Sequence, residues 1–65
     1  MATLGERIRR LRLQKKWSLA QLERESGVSD TTINQIENGI NPNPRKETLE
    51  KLAAALGVSV QQLME

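Results

Sequence analysis

The chain has 65 residues, enough for one domain with one modest core and too few for a second domain with its own pocket. It has no cysteine, which excludes a disulfide framework and a thiolate metal site, so we expect helix packing alone to stabilise a protein of the reducing cytoplasm. The formal net charge of +2 is a weak sign of a polyanionic partner. Neither a signal peptide nor an apolar run near the ~20 residues of a membrane span is recognisable, and we therefore expect a soluble protein.

The first predicted element is an amphipathic, basic helix. Leu4, Ile8 and Leu11 recur at helical spacing and place this helix at about 3–15. The segment has six cations against the single acid Glu6: Arg7, Arg9, Arg10, Arg12, Lys15 and Lys16. These cations are either an electrostatic footprint for a polyanion or the solvated surface of an exposed helix.

The second and third predicted helices are separated by a very short turn. Ser18 can cap helix 2, predicted over about 18–26, with Gln21 in capping-box position and Trp17 as a staple. Gly27 can end this helix, and Ser29 can cap helix 3, predicted over about 30–38. Because so few residues separate the two helices, they must cross steeply, as in a helix-turn-helix.

Two further helices complete the prediction. Asn43 is a good cap and the proline after it suits the first position of helix 4, predicted over about 44–56. Ser59 and Gln62 form a capping box for a short helix 5 at about 60–64. No run of β-branched residues alternates with polar ones, so the predicted class is all-α.

Helix 3 has an unusual outward face. Ile33 and Ile36 point to the core, whereas the opposite side is uncharged and rich in hydrogen-bonding groups: Thr31, Asn34, Gln35 and Asn38. Thr and Asn are poorer helix formers than the Lys and Glu of an ordinary solvated helix. Gln and Asn can pair with the adenine edge, and Thr can touch a thymine methyl group. This face predicts a reader of the DNA major groove, the alternative being a merely polar surface.

The segment from Ser18 to Gly39, S-L-A-Q-L-E-R-E-S-G-V-S-D-T-T-I-N-Q-I-E-N-G, resembles the helix-turn-helix of the Cro and C1 phage-repressor family, the XRE-like regulators. The resemblance extends to Ile8, Leu11 and Arg12 and to the closing segment Leu49 to Leu63. It implies one compact five-helix domain over residues 1–65 that binds double-stranded DNA as a transcriptional regulator of the repressor type.

The resemblance also implies roles for single residues. Helix 3 enters the major groove in similar repressors, and the base readers here are then Asp30, Thr31, Asn34 and Gln35. The candidates for phosphate or minor-groove contacts are Ser18, Ser29, Thr32, Asn38, Asn41, Asn43 and Arg45. Arg12 and Glu37 match a salt bridge between helices 1 and 3, the alternative being unpaired surface charges. Asp30 either accepts from a cytosine or is only a favourable acid in the first turn of a helix.

Arg45 has a second, electrostatic reason for attention. It lies in the first predicted turn of helix 4, where the helix macrodipole disfavours a cation by roughly 0.3–1 kcal/mol. Nearby phosphates would reverse this effect, unless the helix simply tolerates the charge. The chain departs from the family pattern at Leu19, where a phosphate-binding Gln is common, and at Glu23, where a small Ala usually lets helices 2 and 3 approach. Glu23 must extend out of the crossing, open its angle or find a partner.

An enzyme is not expected, because the chain has no His, Cys or Tyr and no phosphate-binding loop. We likewise expect no cofactor, metal or small-molecule ligand. The rival function is a protein-interaction module of the same fold with weak or lost DNA binding, for which Leu13 and Ile40 are candidate surface residues.

A two-fold pair on DNA is expected, because one recognition helix covers too few base pairs for useful specificity. The operator is then near-palindromic, and the protein is a monomer that pairs weakly on it. Val60, Leu63 and Met64 are the candidate dimer residues, the alternative being that Val58 and Leu63 belong to the monomer core.

Overall fold

The computed structural model describes residues 3–64, which form five α-helices and no strand. The helices are α1 (Leu4–Gln14), α2 (Leu19–Ser26), α3 (Asp30–Glu37), α4 (Lys46–Leu56) and α5 (Val60–Met64). The all-α, five-helix prediction is confirmed, with bounds that agree to within two residues. No helix in the described part is long and apolar enough to cross a membrane.

The core lies where all five helices meet. α3 packs against α1 and α2, while α4 packs against α1, α2 and α5. Every helix supplies a fully buried side chain: Ile8 from α1, Leu22 from α2, Ile33 and Ile36 from α3, Leu52 from α4 and Leu63 from α5. α3 is thus held by its apolar side, with its polar side left outside.

The prediction of Leu63 as a dimer residue is wrong. Its side chain is 0% exposed, because the one-turn helix α5 inserts it into the core beside α1 and α4. Val60 is half-buried and packs against the same core, whereas Met64 is 62% exposed. Of the three candidates, Met64 therefore offers the most exposed apolar surface.

Serine hydroxyls begin three of the helices, as predicted. The Oγ atoms of Ser18, Ser29 and Ser59 each accept from the backbone amide three residues later, at 3.1 Å. The box at Ser59 is complete, because Gln62 Oε1 accepts from the Ser59 amide at 2.8 Å. The box at Ser18 is half-formed, since the Gln21 side chain donates to Glu25 instead.

The predicted start of α4 is wrong by two residues. The helix begins at Lys46, and its N-cap is Arg45, which is extended (φ −62°, ψ 151°) and makes no side-chain capping bond. Asn43 and Pro44 lie outside the helix. A side-chain cap contributes only about 1 kcal/mol, so the local preference for Asn43 is weak enough for the surrounding structure to override it.

The start of α1 has a capping box that our sequence reasoning missed, although Thr3 and Glu6 have the T-x-x-E spacing. Thr3 Oγ1 accepts from the Glu6 amide at 3.2 Å, and Glu6 Oε1 accepts from the Thr3 amide at 3.2 Å and from the Thr3 hydroxyl at 3.1 Å. These bonds, first from the Thr3 backbone and then from its side chain, lower the pKa of Glu6.

This lowered pKa predicts a small pH dependence of stability. Because the Glu6 pKa is lower in the folded chain than in the unfolded one, the stabilisation is complete above the unfolded carboxyl pKa and is lost as pH falls through the folded value. Thermal unfolding between about pH 3 and pH 6 should show a smaller loss of stability on acidification for Glu6→Gln than for the parent chain. Identical pH profiles would contradict a role for the Glu6 carboxylate.

α1 ends in a turn that places a lysine where glycine is usual. Lys16 has φ 59°, in the left-handed region. Its amide donates to the Leu13 carbonyl at 2.9 Å, and the Trp17 amide donates to the Arg12 carbonyl at 3.2 Å. This bonding pattern is a Schellman motif, whose left-handed position favours glycine.

Lys16→Gly should therefore raise the free energy of unfolding by about 0.5–1 kcal/mol, because the left-handed conformation strains a residue with a Cβ atom. The matched control is Lys15→Gly, since Lys15 is right-handed (φ −86°, ψ −1°) and the change there should destabilise. Urea unfolding of both variants measures the difference. A lower stability for Lys16→Gly would show that the lysine side chain contributes more than the strain costs.

Candidate nucleic-acid interface

The turn between α2 and α3 is anchored at both ends. Gly27 is left-handed (φ 78°), and its amide donates to the Glu23 carbonyl at 2.8 Å. Val28 follows with 7% exposure, and its amide donates to Ser26 Oγ at 3.1 Å. A buried side chain and two hydrogen bonds thus fix the turn that presents α3.

The outward side of α3 is exposed as predicted. Asn34 and Asn38 are joined by a hydrogen bond from the Asn38 amide nitrogen to the Asn34 amide oxygen. The Gln35 side chain makes no hydrogen bond with residues 3–64, so its donor and acceptor are both available to a ligand. Five side chains are exposed on this face: Asp30, Thr31, Asn34, Gln35 and Asn38.

Four hydroxyl groups lie near this face. Thr31 Oγ1 donates to Asp30 Oδ1 at 3.5 Å, and the other three are used as caps or cap partners, of which two can still donate. Ser18 Oγ only accepts within its cap, so its proton is free. Ser29 Oγ donates to Thr32 Oγ1 at 2.8 Å, which leaves the Thr32 proton free. Ser18 and Thr32 are therefore the hydroxyls able to donate to a phosphate.

The loop after α3 is tied to the end of that helix. The amides of Ile40 and Asn41 both donate to the Gln35 carbonyl, at 2.9 and 3.1 Å. Asn41 is half-buried, whereas Asn43 and Arg45 are exposed. The loop thus brings Asn41 next to α3, while no hydrogen bond in the described part of the chain links the Asn43 or Arg45 side chain to that helix.

Arg12 and Glu37 form a bidentate ion pair between α1 and α3. Arg12 Nε and Nη2 donate to the two carboxylate oxygens at 2.8 and 3.0 Å, and the side chains are only 10% and 5% exposed. Arg12 Nη1 also donates to the Trp17 carbonyl at 2.8 Å. The hydrogen bonds to Glu37 raise the pKa of Arg12, so the guanidinium stays charged at any ordinary pH. The pair joins α1, the turn before α2 and the last turn of α3.

Gly5 allows α1 to touch the backbone of α3. A Cβ atom added at Gly5 would lie 2.2 Å from the Ile36 carbonyl oxygen and 2.9 Å from that of Glu37. We did not predict this contact from the sequence. The signal that could have indicated it is a glycine in the first turn of a predicted helix, where glycine is unfavourable without a packing reason. Gly5 and the ion pair together fix the end of α3.

The two departures from the family pattern are accommodated without a polar contact. Leu19 is half-buried against the core, in place of a residue that reaches a phosphate. Glu23 is half-buried, and its carboxylate has no hydrogen-bond or ion-pair partner within residues 3–64. Glu23 was expected to extend out of the crossing, to open its angle or to find a partner. Within this part of the chain the structure shows no partner for it.

The sequence pattern of the helix-turn-helix family matches residues 8–63, which is most of the chain. The chain belongs to the helix-turn-helix family. This result confirms the resemblance inferred from the sequence, and with it the fold.

Members of the helix-turn-helix family with similar sequences are named as transcriptional regulators. The chain is 42% identical over 64 residues to the uncharacterized HTH-type transcriptional regulator RghRB of Bacillus subtilis (strain 168), a match that covers 98% of this chain and 46% of that protein. It is 37% identical over 62 residues to the HTH-type transcriptional regulator SinR of the same organism, covering 95% of this chain and 56% of SinR. The chain thus spans about half the length of these relatives.

A solved helix-turn-helix structure is closely similar. The crystal structure of the master regulator for biofilm formation SinR in complex with DNA superposes with a TM-score of 0.92 at 36% identity. The match covers 97% of this chain and 100% of that chain. The arrangement of α2 and α3 is therefore that of a domain whose crystals contain DNA.

Proposed function

We propose that the chain is a single DNA-binding domain, over residues 1–65, of a transcriptional regulator of the repressor type, and that α3 lies in the major groove of its operator. The observation that carries this proposal is the exposed, hydrogen-bonding side of α3, on which Asp30 is the one charged group among five exposed side chains, presented by a helix whose other side is fully buried. The likeness to SinR in complex with DNA supports it.

The base readers in this proposal are the four exposed residues of the first two turns of α3. Gln35 is the strongest candidate, because its amide is unpaired within residues 3–64. Its Nε2 can donate to adenine N7 while its Oε1 accepts from the N6 amino group. Asn34 must give up its bond to Asn38 to read a base in the same way. Thr31 and Asp30 lie one turn earlier and would contact a thymine methyl group and a cytosine amine.

The phosphate contacts would surround this helix. Ser18 at the start of α2, Thr32 and Ser29 at the start of α3, and Asn38 at its end all lie on the helix-turn-helix unit itself. Of these, Ser29 would have to give up its bond to Thr32 before its hydroxyl could donate to a phosphate. Asn41, Asn43 and Arg45 extend the proposed contact surface along the following loop. Arg45 is exposed at the positive end of α4, where an approaching phosphate would relieve the unfavourable charge.

Two copies would bind one operator. The apolar surface available for pairing is small, namely Met64, the half-buried Val60 and Ile40, which is 71% exposed. A surface this limited suits a monomer in free solution that pairs on a near-palindromic site, with half-sites about 34 Å apart.

The test is selection from a library of randomised duplexes, followed by titration of the selected and a random duplex at two salt concentrations. A DNA reader should enrich a sequence and lose affinity as salt rises, because binding releases counterions. Failure to enrich any sequence, with no salt-dependent binding to either duplex, would refute the proposal. Sedimentation with the selected duplex would show whether two copies bind.

Gln35→Ala is the sharpest variant for sequence reading. We expect it to weaken binding to the selected duplex by roughly 1–3 kcal/mol and binding to random DNA very little, since it removes a bidentate base contact. Gln61→Ala is the matched control, because Gln61 is also an exposed helical glutamine and lies on α5. Equal losses on both duplexes for Gln35→Ala would show that Gln35 does not read sequence.

Arg45→Ala should weaken binding to both duplexes together and reduce the slope of log affinity against log salt concentration by about 1.

A further inference from the structure

Some of the cationic side chains of α1 have partners within the chain, and others do not. Arg12 pairs with Glu37, Arg7 donates to the Gln62 carbonyl at 3.2 Å, and the Lys15 ammonium lies 5.1 Å from the centre of the Trp17 ring. Arg9 and Arg10 make no ion pair or hydrogen bond with residues 3–64, and both are exposed. Their hydrogen-bonding groups are therefore available to a partner, although the charge of Arg10 also acts through space on Glu6, four residues before it.

An apolar side chain lies beside these two arginines. Leu13 is 55% exposed and follows Arg9 by four residues and Arg10 by three, so the three side chains are neighbours on the helix surface. Together with Glu6 and Gln14 they line a shallow open groove of about 510 Å³. The one carboxylate there, Glu6, is held in the capping box with Thr3. The groove is thus positive with an apolar centre.

The groove lies on the exposed side of α1, with Arg10 farthest from α3 and Arg9 nearest to it. α1 contacts α3 through Gly5 and Arg12; at about 100° per residue, Arg10 lies roughly 150° around the helix from them, Leu13 about 90° and Arg9 about 50°. Arg10 and Leu13 therefore lie outside the contact between α1 and α3. Phosphates would also give no reason for an exposed leucine between the arginines.

We propose that the Arg9–Arg10–Leu13 surface of α1 is a docking site for an acidic amphipathic helix of a partner protein. An apolar side chain of that helix would cover Leu13, and carboxylates three or four residues to either side would pair with the two guanidinium groups. Such a small contact gives weak binding, which suits a regulator that recruits or releases a partner while it stays on DNA. The inference goes beyond the proposed DNA binding and does not depend on it.

The test uses a synthetic helical peptide with leucine on one face and glutamates three and four residues away, and a control peptide with glutamine for every glutamate. Fluorescence anisotropy should give a dissociation constant of about 10–100 µM for the acidic peptide. Leu13→Ala, and separately the double variant Arg9→Gln, Arg10→Gln, should each weaken it roughly tenfold. Ile40→Ala and Arg24→Gln change an exposed apolar residue and an exposed arginine elsewhere and should leave it unchanged. Circular dichroism checks that all variants fold.

Titration of the same variants with random duplex DNA separates this site from the proposed DNA interface. The double arginine variant should change DNA affinity less than about twofold, and the peptide should bind equally well to the DNA-bound chain. The proposal is overturned if the peptide does not bind at about 1 mM, or if the glutamine peptide binds as well. It is equally overturned if the arginine variant reduces the salt slope for DNA by about 1 or more, which would assign these cations to DNA. If the chain self-associates and Leu13→Ala abolishes this association, the surface binds a second copy of the chain and not a partner helix, which also overturns the proposal.

Discussion

Gly5→Ala should destabilise the fold by about 3 kcal/mol or more, although alanine favours an ordinary helix over glycine by about 1 kcal/mol. The added methyl group would lie 2.2 Å from the Ile36 carbonyl oxygen, a backbone atom that cannot move without shifting the end of α3. α1 must then separate from α3, and the core around Ile8 and Ile36 opens. Urea unfolding of the parent and the variant measures this loss.

The matched control is Ala54→Gly on the exposed side of α4, where propensity alone acts and glycine should cost about 1 kcal/mol. The two substitutions are the reverse of each other, yet both should destabilise. A stability gain for Gly5→Ala would show that α1 and α3 can separate at little cost. If DNA binding holds, the variant should also lose affinity for the operator under conditions in which it is still folded.

Glu37→Ala should cost about 3–5 kcal/mol, because it leaves the Arg12 guanidinium buried without a counter-charge. Small domains are stable by only about 5–15 kcal/mol, so this one change should bring the chain close to unfolding. Arg12→Lys should also destabilise, since an ammonium cannot replace the bidentate bonds to Glu37 together with the bond to the Trp17 carbonyl.

A double-mutant cycle identifies the source of this loss. Arg12→Met with Glu37→Leu removes both charges and retains much of the buried volume, so it should cost less than the sum of the single changes. The unpaired Trp17 carbonyl will keep part of the penalty. Strict additivity would show that the two side chains do not stabilise each other. Glu47→Ala is the surface reference, because it breaks the exposed pair of Glu47 with Lys51 and should cost less than about 1 kcal/mol.

The helix starts that depend on local chemistry could be predicted from the sequence. Ser18, Ser29 and Ser59 act as caps in the structure because the amides from which they accept are only three residues away. The start of α4 could not be predicted in this way, since the surrounding structure overrides a local preference for Asn43 that is worth only about 1 kcal/mol. The burial of Leu63 depends in the same way on where α1 and α4 lie.

The polar side of α3 was predictable because its exposure follows from the helical period alone. Contacts between distant elements were not. The Arg12–Glu37 pair was expected only from the family resemblance, as no local rule relates residues 25 positions apart. The contact of Gly5 with α3 depends on how closely two backbones approach, which a single sequence does not encode in a short motif. For the same reason, the sequence alone could not show which cations of α1 have partners within the chain and which do not.

The bonds that end α3 leave its exposed polar side open to evolutionary change. The Gln35 carbonyl accepts from the amides of Ile40 and Asn41, so the anchoring of this helix end at Gln35 uses main-chain atoms that any amino acid supplies. Replacement of the side chains at 31, 34 and 35 therefore leaves the scaffold intact, because they are exposed and their packing contribution is small. A combinatorial library at these three positions should consist mostly of folded proteins. If the proposed base readers are correct, variants with new operator preferences can be isolated from it without compensating mutations in the core.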